Sequence, residues 1–220
     1  MIRLAIVDDH LILQKGLALI LESFVDCELI FTALNGQELI DQLPKQSVDV
    51  ILMDLEMPVM DGIEATRYVR EHYPEIKIIL LTMHDNEQYI SHLVELGANA
   101  YLLKNEEDQE LHRAIRAVHQ HDFYFNDYVQ QALLKRVRKQ SRPSFQQNIV
   151  NLLTAREKEV IGLICQELSS KEIADQLFIS NKTVETHRKN IREKIGVKNT
   201  AGLVIFAMQN GLVPGLNGSG

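Results

Sequence analysis

Long apolar runs are missing from this sequence. None approaches the roughly 20 residues that a membrane-spanning helix needs, and Met1-Ile2-Arg3 leads directly into a short strand instead of a secretory leader. The expectation is a cytoplasmic protein with no membrane partner. Cysteine is scarce: Cys27 and Cys165 stand far apart with no histidine at metal-ligand spacing. That excludes a disulfide framework and reads as two small buried hydrophobes, not a bridge or a zinc site. Basic charge is short in the first half, where residues 1–120 carry 9 basic and 21 acidic side chains, a net of -12. Residues 121–150 carry 5 and 2, and residues 151–220 carry 9 and 7. So acidic a first half repels a nucleic-acid backbone, which leaves polyanion binding to the last hundred residues.

What remains is ordinary globular material: 220 residues, 45% hydrophobic and 24% charged, room for about two domains. Through residue 120 short β-branched runs alternate with helical patterns. Arg3–Val7, Glu28–Ala33, Val48–Met53, Lys77–Thr82 and Ala100–Leu103 read as strands, and 10–23, 36–43, 62–72, 86–96 and 106–120 as helices. That alternation predicts an α/β, doubly wound parallel sheet whose ligands sit beyond the carboxyl ends of the strands. After His121-Asp122-Phe123-Tyr124-Phe125 a helix is expected at 127–139, inside a linker spanning 121–150. From Leu153 onward no strand pattern remains. Thr154-Ala155-Arg156-Glu157 is a capping box opening a helix, Lys171–Leu177 forms a second, and Ser180 caps a third from Asn181 to Ile195. Two helices joined by the short Phe178-Ile179-Ser180 turn predict a helix-turn-helix in a domain spanning 151–213. A final helix is expected at 200–210, and 214–220 reads as a tail.

The strand ends carry the chemistry. Asp8 and Asp9 follow the first strand, Asp54 the third, Thr82 the fourth and Lys104 the fifth. Three carboxylates converging on one edge repel each other, so the site needs a divalent cation or a lysine. Asp54 is placed as a nucleophile toward phosphorus, giving an acyl phosphate. Asp8 and Asp9 offer hard oxygens to Mg²⁺, Thr82 can bond a phosphoryl oxygen, and Lys104 can pair with another.

Residues 1–120, with Asp8-Asp9, Met53-Asp54-Leu55-Glu56-Met57-Pro58, Thr82 and Lys104, resemble a two-component receiver domain of flavodoxin-like strand order 2-1-3-4-5. The resemblance implies phosphorylation of Asp54 by a sensor histidine kinase, with Mg²⁺ held by Asp9, Asp54 and the Glu56 backbone carbonyl and by Asp8 through water. It also implies a switch in which Thr82 moves toward the phosphoryl group while Tyr101 turns inward; Tyr101 also reads as plain core. Glu56 and His84 flank the expected pocket, as tuners of hydrolysis or as solvated surface. One departure is Asn105 after Lys104, where many receivers have proline, so the peptide geometry there is left open.

Leu153-Thr154-Ala155-Arg156-Glu157, Lys171-Glu172-Ile173-Ala174 and Ser180-Asn181-Lys182-Thr183-Val184-Glu185-Thr186-His187 resemble a LuxR-type helix-turn-helix. Together the two halves resemble the NarL/FixJ response regulators. Val184, Ile191 and Ile195 fall on one stripe as core, leaving Lys182, Glu185, Thr186, Arg188, Lys189 and Arg192 exposed. The docking mode implies base readout by Glu185, Thr186 and Lys189 and phosphate contacts from Lys182, Thr183, Arg188 and Arg192, with Lys171 a further DNA contact. Glu167 stands where the family usually has a left-handed glycine; a side chain there is strained, which predicts a rebuilt turn. A net charge of only +2 on residues 151–220 makes double-stranded promoter DNA a target for a homodimer rather than a monomer. The whole therefore reads as a phosphorylation-switched transcription factor and not an enzyme. No substrate cap is evident, and the first strand ends in Asp8-Asp9-His10 where aspartyl phosphotransferases place Asp-x-Asp. A regulator whose receiver is only a dimerisation scaffold is the competing reading, and the intact acidic site argues against it.

Overall fold

A computed structural model describes residues 1–83, 96–132, 150 and 152–213. Five parallel strands run in the order β2-β1-β3-β4-β5: β1 Ile2–Val7, β2 Cys27–Ala33, β3 Val50–Asp54, β4 Lys77–Thr82 and β5 Ala100–Leu103. β1 and β3 are central, and every residue of β3 is buried, because a parallel sheet covered on both faces demands apolar side chains in both directions. One face packs Ala5, Val7, Ile51, Met53 and Leu80; the other packs Leu4, Ile6, Leu52 and Ile79. Among the described residues four helices accompany the sheet: α1 Leu11–Glu22, α2 Gly36–Gln42, α3 Gly62–His72 and α4 Asp108–His121. Asn35 and Asp61 cap α2 and α3 by accepting from the Glu38 and Glu64 amides, each worth about 1 kcal/mol.

The second unit is all helical: α5 Ala155–Ile164, α6 Ser170–Leu177, α7 Asn181–Ile195 and α8 Thr200–Gln209. The capping box expected at Thr154 and Glu157 is formed, and Ser169 with Glu172 makes a second one. Val184 and Ile191 are fully buried and Ile195 nearly so, as their stripe requires. α7 ends at Gly196, whose φ of 72° is the left-handed cap that glycine adopts without strain.

Strand and helix bounds match the sequence expectations within two residues wherever both are described. The turn at Glu167 differs: it is not rebuilt, and Glu167 itself takes φ 61°. Its amide donates to the Ile164 carbonyl, and the Leu168 amide to that of Leu163, so the ordinary helix exit survives at the cost of backbone strain. No cis peptide occurs among the described residues, so Lys104–Asn105 is trans. Residues 127–132 are helical as expected. The helix expected at 86–96 apart from Leu96, the remainder of 127–139, His84 and the tail 214–220 lie outside the described residues.

Candidate functional site

Lys104 is the hub of the strand-end cluster. Its Nζ lies 2.7 Å from Asp8 Oδ2 and 2.7 Å from Asp54 Oδ2, and all three side chains are at least nine-tenths buried. Burial alone would lower the lysine pKa, yet the two carboxylates outweigh it and hold it above its ordinary value. Asp54 shows the opposite balance, since burial raises its pKa despite Lys104 and a backbone hydrogen bond at Glu56. Gln14 secures the end of β1, its Nε2 donating to the Asp8 carbonyl at 2.7 Å and the Ala33 carbonyl at 2.6 Å. The Asp8 carboxylate accepts from the His10 amide at 2.8 Å.

The local sequence explains the loop after Asp54. A Cβ on Gly62 would sit 2.2 Å from the Asp54 carbonyl oxygen, so only glycine lets α3 begin against the end of β3. The Gly62 amide donates to the Leu55 carbonyl at 3.0 Å, closing the loop that carries Glu56. Thr82 is buried at the end of β4, and its carbonyl accepts from the Lys104 amide at 2.8 Å. Tyr101 points inward and is 1% exposed.

The residues fit a hard divalent cation. Ligand atoms of Asp8, Asp9, His10 and Asp54 all lie within 4.8 Å of one another. Asp9 Oδ1 is buried without a hydrogen bond, and the His10 ring Nδ1 lies 2.8 Å from it. Converging carboxylates with Lys104 between them leave an excess of negative charge that oxygen-loving Mg²⁺ would neutralise.

The second cluster joins the two halves of the chain. Arg188, expected to be exposed on α7, is only 3% exposed. Its guanidinium pairs with the Asp122 carboxylate and donates to Ser170 Oγ at 2.7 Å and Thr200 Oγ1 at 2.9 Å. The expectation of exposure fails because nothing in α7 signals Asp122, which lies 66 residues earlier. Asp122 terminates α4 in a left-handed conformation, φ 71°, and also pairs with Lys77 Nζ at 2.6 Å. Burial raises its pKa, but Arg188 and Lys77 overcome that and hold the carboxyl below its ordinary value. Thr200 Oγ1 donates to the same Asp122 carboxylate at 3.1 Å, and Asn199 adds a further bond between the halves, its Nδ2 donating to the Ala98 carbonyl at 2.7 Å.

Behind Asp122, Arg70 donates to the Gly97 carbonyl and to Asn99 Oδ1, each at 2.6 Å. Asn99 in turn donates to the Asp122 carbonyl. Burial pushes the Arg70 pKa down to about 10. Arg70, Asn99, Asp122, Asn199 and Thr200 were missed by sequence reasoning, because their roles come from tertiary partners and not from spacing; Gln14 was also missed.

A polar cleft of about 420 Å³ separates the halves beside this contact, and Lys171, Glu185, Arg188 and Arg192 line it. Lys182, Thr183, Thr186 and Lys189 are exposed. The Thr183 hydroxyl lies 2.8 Å from Ser180 Oγ, and Thr186 donates to the Lys182 carbonyl at 2.9 Å. Half of the expected DNA-contact residues therefore border the receiver.

Comparison with known proteins agrees with this two-part architecture. Residues 4–116 match the response regulator receiver domain, and residues 151–207 match the bacterial regulatory proteins of the luxR family. The oxygen regulatory protein NreC of Staphylococcus epidermidis is 35% identical, covering 96% of this chain and 99% of its own. The transcriptional regulatory protein MctR of Rhizobium johnstonii is 38% identical, covering 96% and 95%. Among solved structures, the RcsB response regulator of Salmonella typhimurium superposes with a TM-score of 0.58 at 28% identity, covering 93% of this chain and 98% of its own. An RcsB–DNA complex gives 0.57 at 28% identity, covering 94% and 98%. No described helix is long and apolar enough to cross a membrane. The chain belongs to the NarL/FixJ-type two-component response regulators, with a receiver domain ahead of a LuxR-type DNA-binding domain.

Proposed function

We propose that this protein is a transcription factor whose receiver hides part of its DNA-reading helix until Asp54 is phosphorylated. The observation that carries this reading is the burial of Arg188, a side chain on the recognition helix, against Asp122 of the receiver half. Arg188 cannot pair with Asp122 and with a DNA phosphate at once. The closed arrangement and DNA binding therefore compete, and the proportion of each is a two-state equilibrium.

At the other end of the receiver, Asp54 is the phosphoacceptor. Its ionised oxygen attacks phosphorus, the bond from phosphorus to the donor breaks, and the donor group leaves with its electron pair. Asp8, Asp9, Asp54 and the Glu56 carbonyl would hold Mg²⁺, which supplies charge neutralisation for the phosphoryl oxygens when bound. Lys104, already between Asp8 and Asp54, exchanges one carboxylate partner for a phosphoryl oxygen. Thr82 closes on a second oxygen, and Tyr101, inward already, fills the space behind it. A sensor histidine kinase is the donor, and no small-molecule turnover is expected. The receiver spans 1–120, the linker 121–150 and the DNA-binding domain 151–213.

On DNA, Glu185, Thr186 and Lys189 read bases, while Lys171, Lys182, Thr183, Arg188 and Arg192 hold phosphates, and a homodimer spans two half-sites. The cytoplasm, where the kinase and DNA are both accessible, is the expected compartment. Structures of RcsB on DNA, including one with a phosphomimetic, support this reading by similarity. The test is labelling with a small-molecule phosphodonor and Mg²⁺, followed by peptide mapping. One acyl phosphate on Asp54, absent in Asp54→Asn and with chelator, is the expected result; labelling elsewhere or metal-independent labelling overturns the assignment.

A further inference from the structure

At the opposite end of β2 from the strand-end cluster, the fold assembles a group that sequence spacing had given no reason to expect. Ala33, the last residue of β2, accepts from the Asp8 amide; Cys27 is the first. Beside Cys27 stand Asp26 and, from α4, His112, which lies 86 residues further along the chain. We propose that Asp26, Cys27 and His112 form a binding site for one thiophilic divalent cation, Zn²⁺.

The geometry is close to that of a bound site. The three ligand atoms lie within 4.8 Å of one another. Cys27 Sγ is 3.8 Å from Asp26 Oδ1, and His112 Nε2 is 2.6 Å from the same oxygen. A tetrahedral zinc ion with bonds of about 2.0–2.3 Å places neighbouring ligand atoms roughly 3.3–3.8 Å apart. The sulfur and oxygen are already at that spacing, and the imidazole must retreat from the carboxylate by less than about 1.5 Å. The ring is oriented for this by Phe24, stacked on it with centroids 4.1 Å apart and planes 9° apart.

Charge and chemical hardness agree with zinc. One thiolate and one carboxylate neutralise two positive charges, and a neutral imidazole completes three protein ligands, leaving a fourth position for water. Asp26 and His112 are partly exposed, which gives the ion a way in. Sulfur distinguishes this site from the carboxylate-rich cluster beside Asp54, which has no thiol, so Zn²⁺ and Mg²⁺ should sort between the two ends of the receiver. Arg116 opposes binding, with Nε 3.5 Å from Asp26 Oδ2. It holds the oxygen that the histidine does not use, and its side chain is over half exposed and can swing into solvent. Burial pushes the Cys27 thiol up to about 11, so an incoming ion must displace its proton and binding should strengthen as pH rises.

Titration of the full-length protein with Co²⁺ in excess Mg²⁺ tests the site independently of phosphorylation. A sulfur-to-cobalt absorption band in the near ultraviolet should saturate at one equivalent and be displaced by Zn²⁺. It should vanish in Cys27→Ser, weaken at least tenfold in His112→Gln, and persist in Asp54→Asn and Cys165→Ser. Zn²⁺ should also raise the melting temperature of the wild type by several degrees and leave that of Cys27→Ser unchanged. Absence of the band in folded wild-type protein, its survival in Cys27→Ser, or indifference to His112→Gln overturns the proposal. Phosphodonor labelling of Asp54 in Cys27→Ser, His112→Gln and Cys165→Ser, and a cooperative thermal transition in Asp54→Asn, confirm that the receiver has folded.

Discussion

The strand-end pocket and the interdomain contact are built from the same parts with the signs reversed. In the pocket two buried carboxylates, Asp8 and Asp54, share one cation, Lys104. In the contact two cations, Lys77 and Arg188, share one carboxylate, Asp122. The pocket is short of positive charge, and on the proposed reading it takes a metal ion and then a phosphoryl group, whose own charge Lys104 must answer. The contact has one positive charge too many, so Arg188 already has a reason to find another anion, and a DNA phosphate is one. Each cluster is satisfied only provisionally, which is what a switch needs. Breaking a buried pair by removing one partner costs about 3–5 kcal/mol, whereas exchanging the partner for another anion costs far less.

Breaking the comparison at its shared carboxylate should have the largest effect. In Asp122→Ala, Arg188 and Lys77 lose their common partner, and the unphosphorylated protein should bind promoter DNA about tenfold or more tightly, a shift of roughly 1.4 kcal/mol or more. Fluorescence anisotropy on a selected site reads this directly, and an unchanged affinity would remove Asp122 from the switch. Arg188→Ala breaks both alternatives at once. It should free the recognition helix yet lose a phosphate contact, which lowers the slope of log affinity against log salt by about 1. Lys189→Ala, on the face already exposed, should cost about 1–3 kcal/mol of discrimination at one base position without altering the response to phosphodonor.

Acid sharpens the contrast further. Asp122 has a folded-state pKa below the ordinary 3.8, so its contribution is fully present above that value and is lost as pH falls through the lower folded pKa. The contact should therefore hold unchanged from neutrality down to the ordinary carboxylate range, and small-angle scattering across that range should show no opening. The smallest effect belongs to the helix-turn-helix alone: Glu167→Gly relieves the left-handed strain at φ 61° and should stabilise that domain by about 0.5–1 kcal/mol in chemical denaturation.

The sheet was legible because its signal is local. Runs such as Val50–Asp54 are apolar on both faces and end in chemistry-bearing residues, and each strand's register follows from burial. The receiver cluster was legible for the same reason: strand order 2-1-3-4-5 brings Asp8, Asp54 and Lys104 to one edge, and the structure joins them at 2.7 Å. What escaped the sequence depends on partners distant in the chain. Arg188 read as one of several exposed phosphate-contact cations until Asp122 was found beside it, and Cys27 looked inert until His112 was placed on the neighbouring helix. Glu167 departed from pattern legibly, but whether the turn or the residue would yield was decided by the hydrogen bonds it closes to α5.

DNA affinity measured on wild type and Asp122→Ala, each with and without phosphodonor and Mg²⁺, tests the central claim most directly. The wild type should tighten at least tenfold on phosphorylation, while unphosphorylated Asp122→Ala should already match the phosphorylated wild type and gain little more. If Asp122→Ala instead binds as weakly as unphosphorylated wild type and responds to phosphodonor by the same factor, the Asp122–Arg188 contact does not hold the recognition helix and the account is wrong.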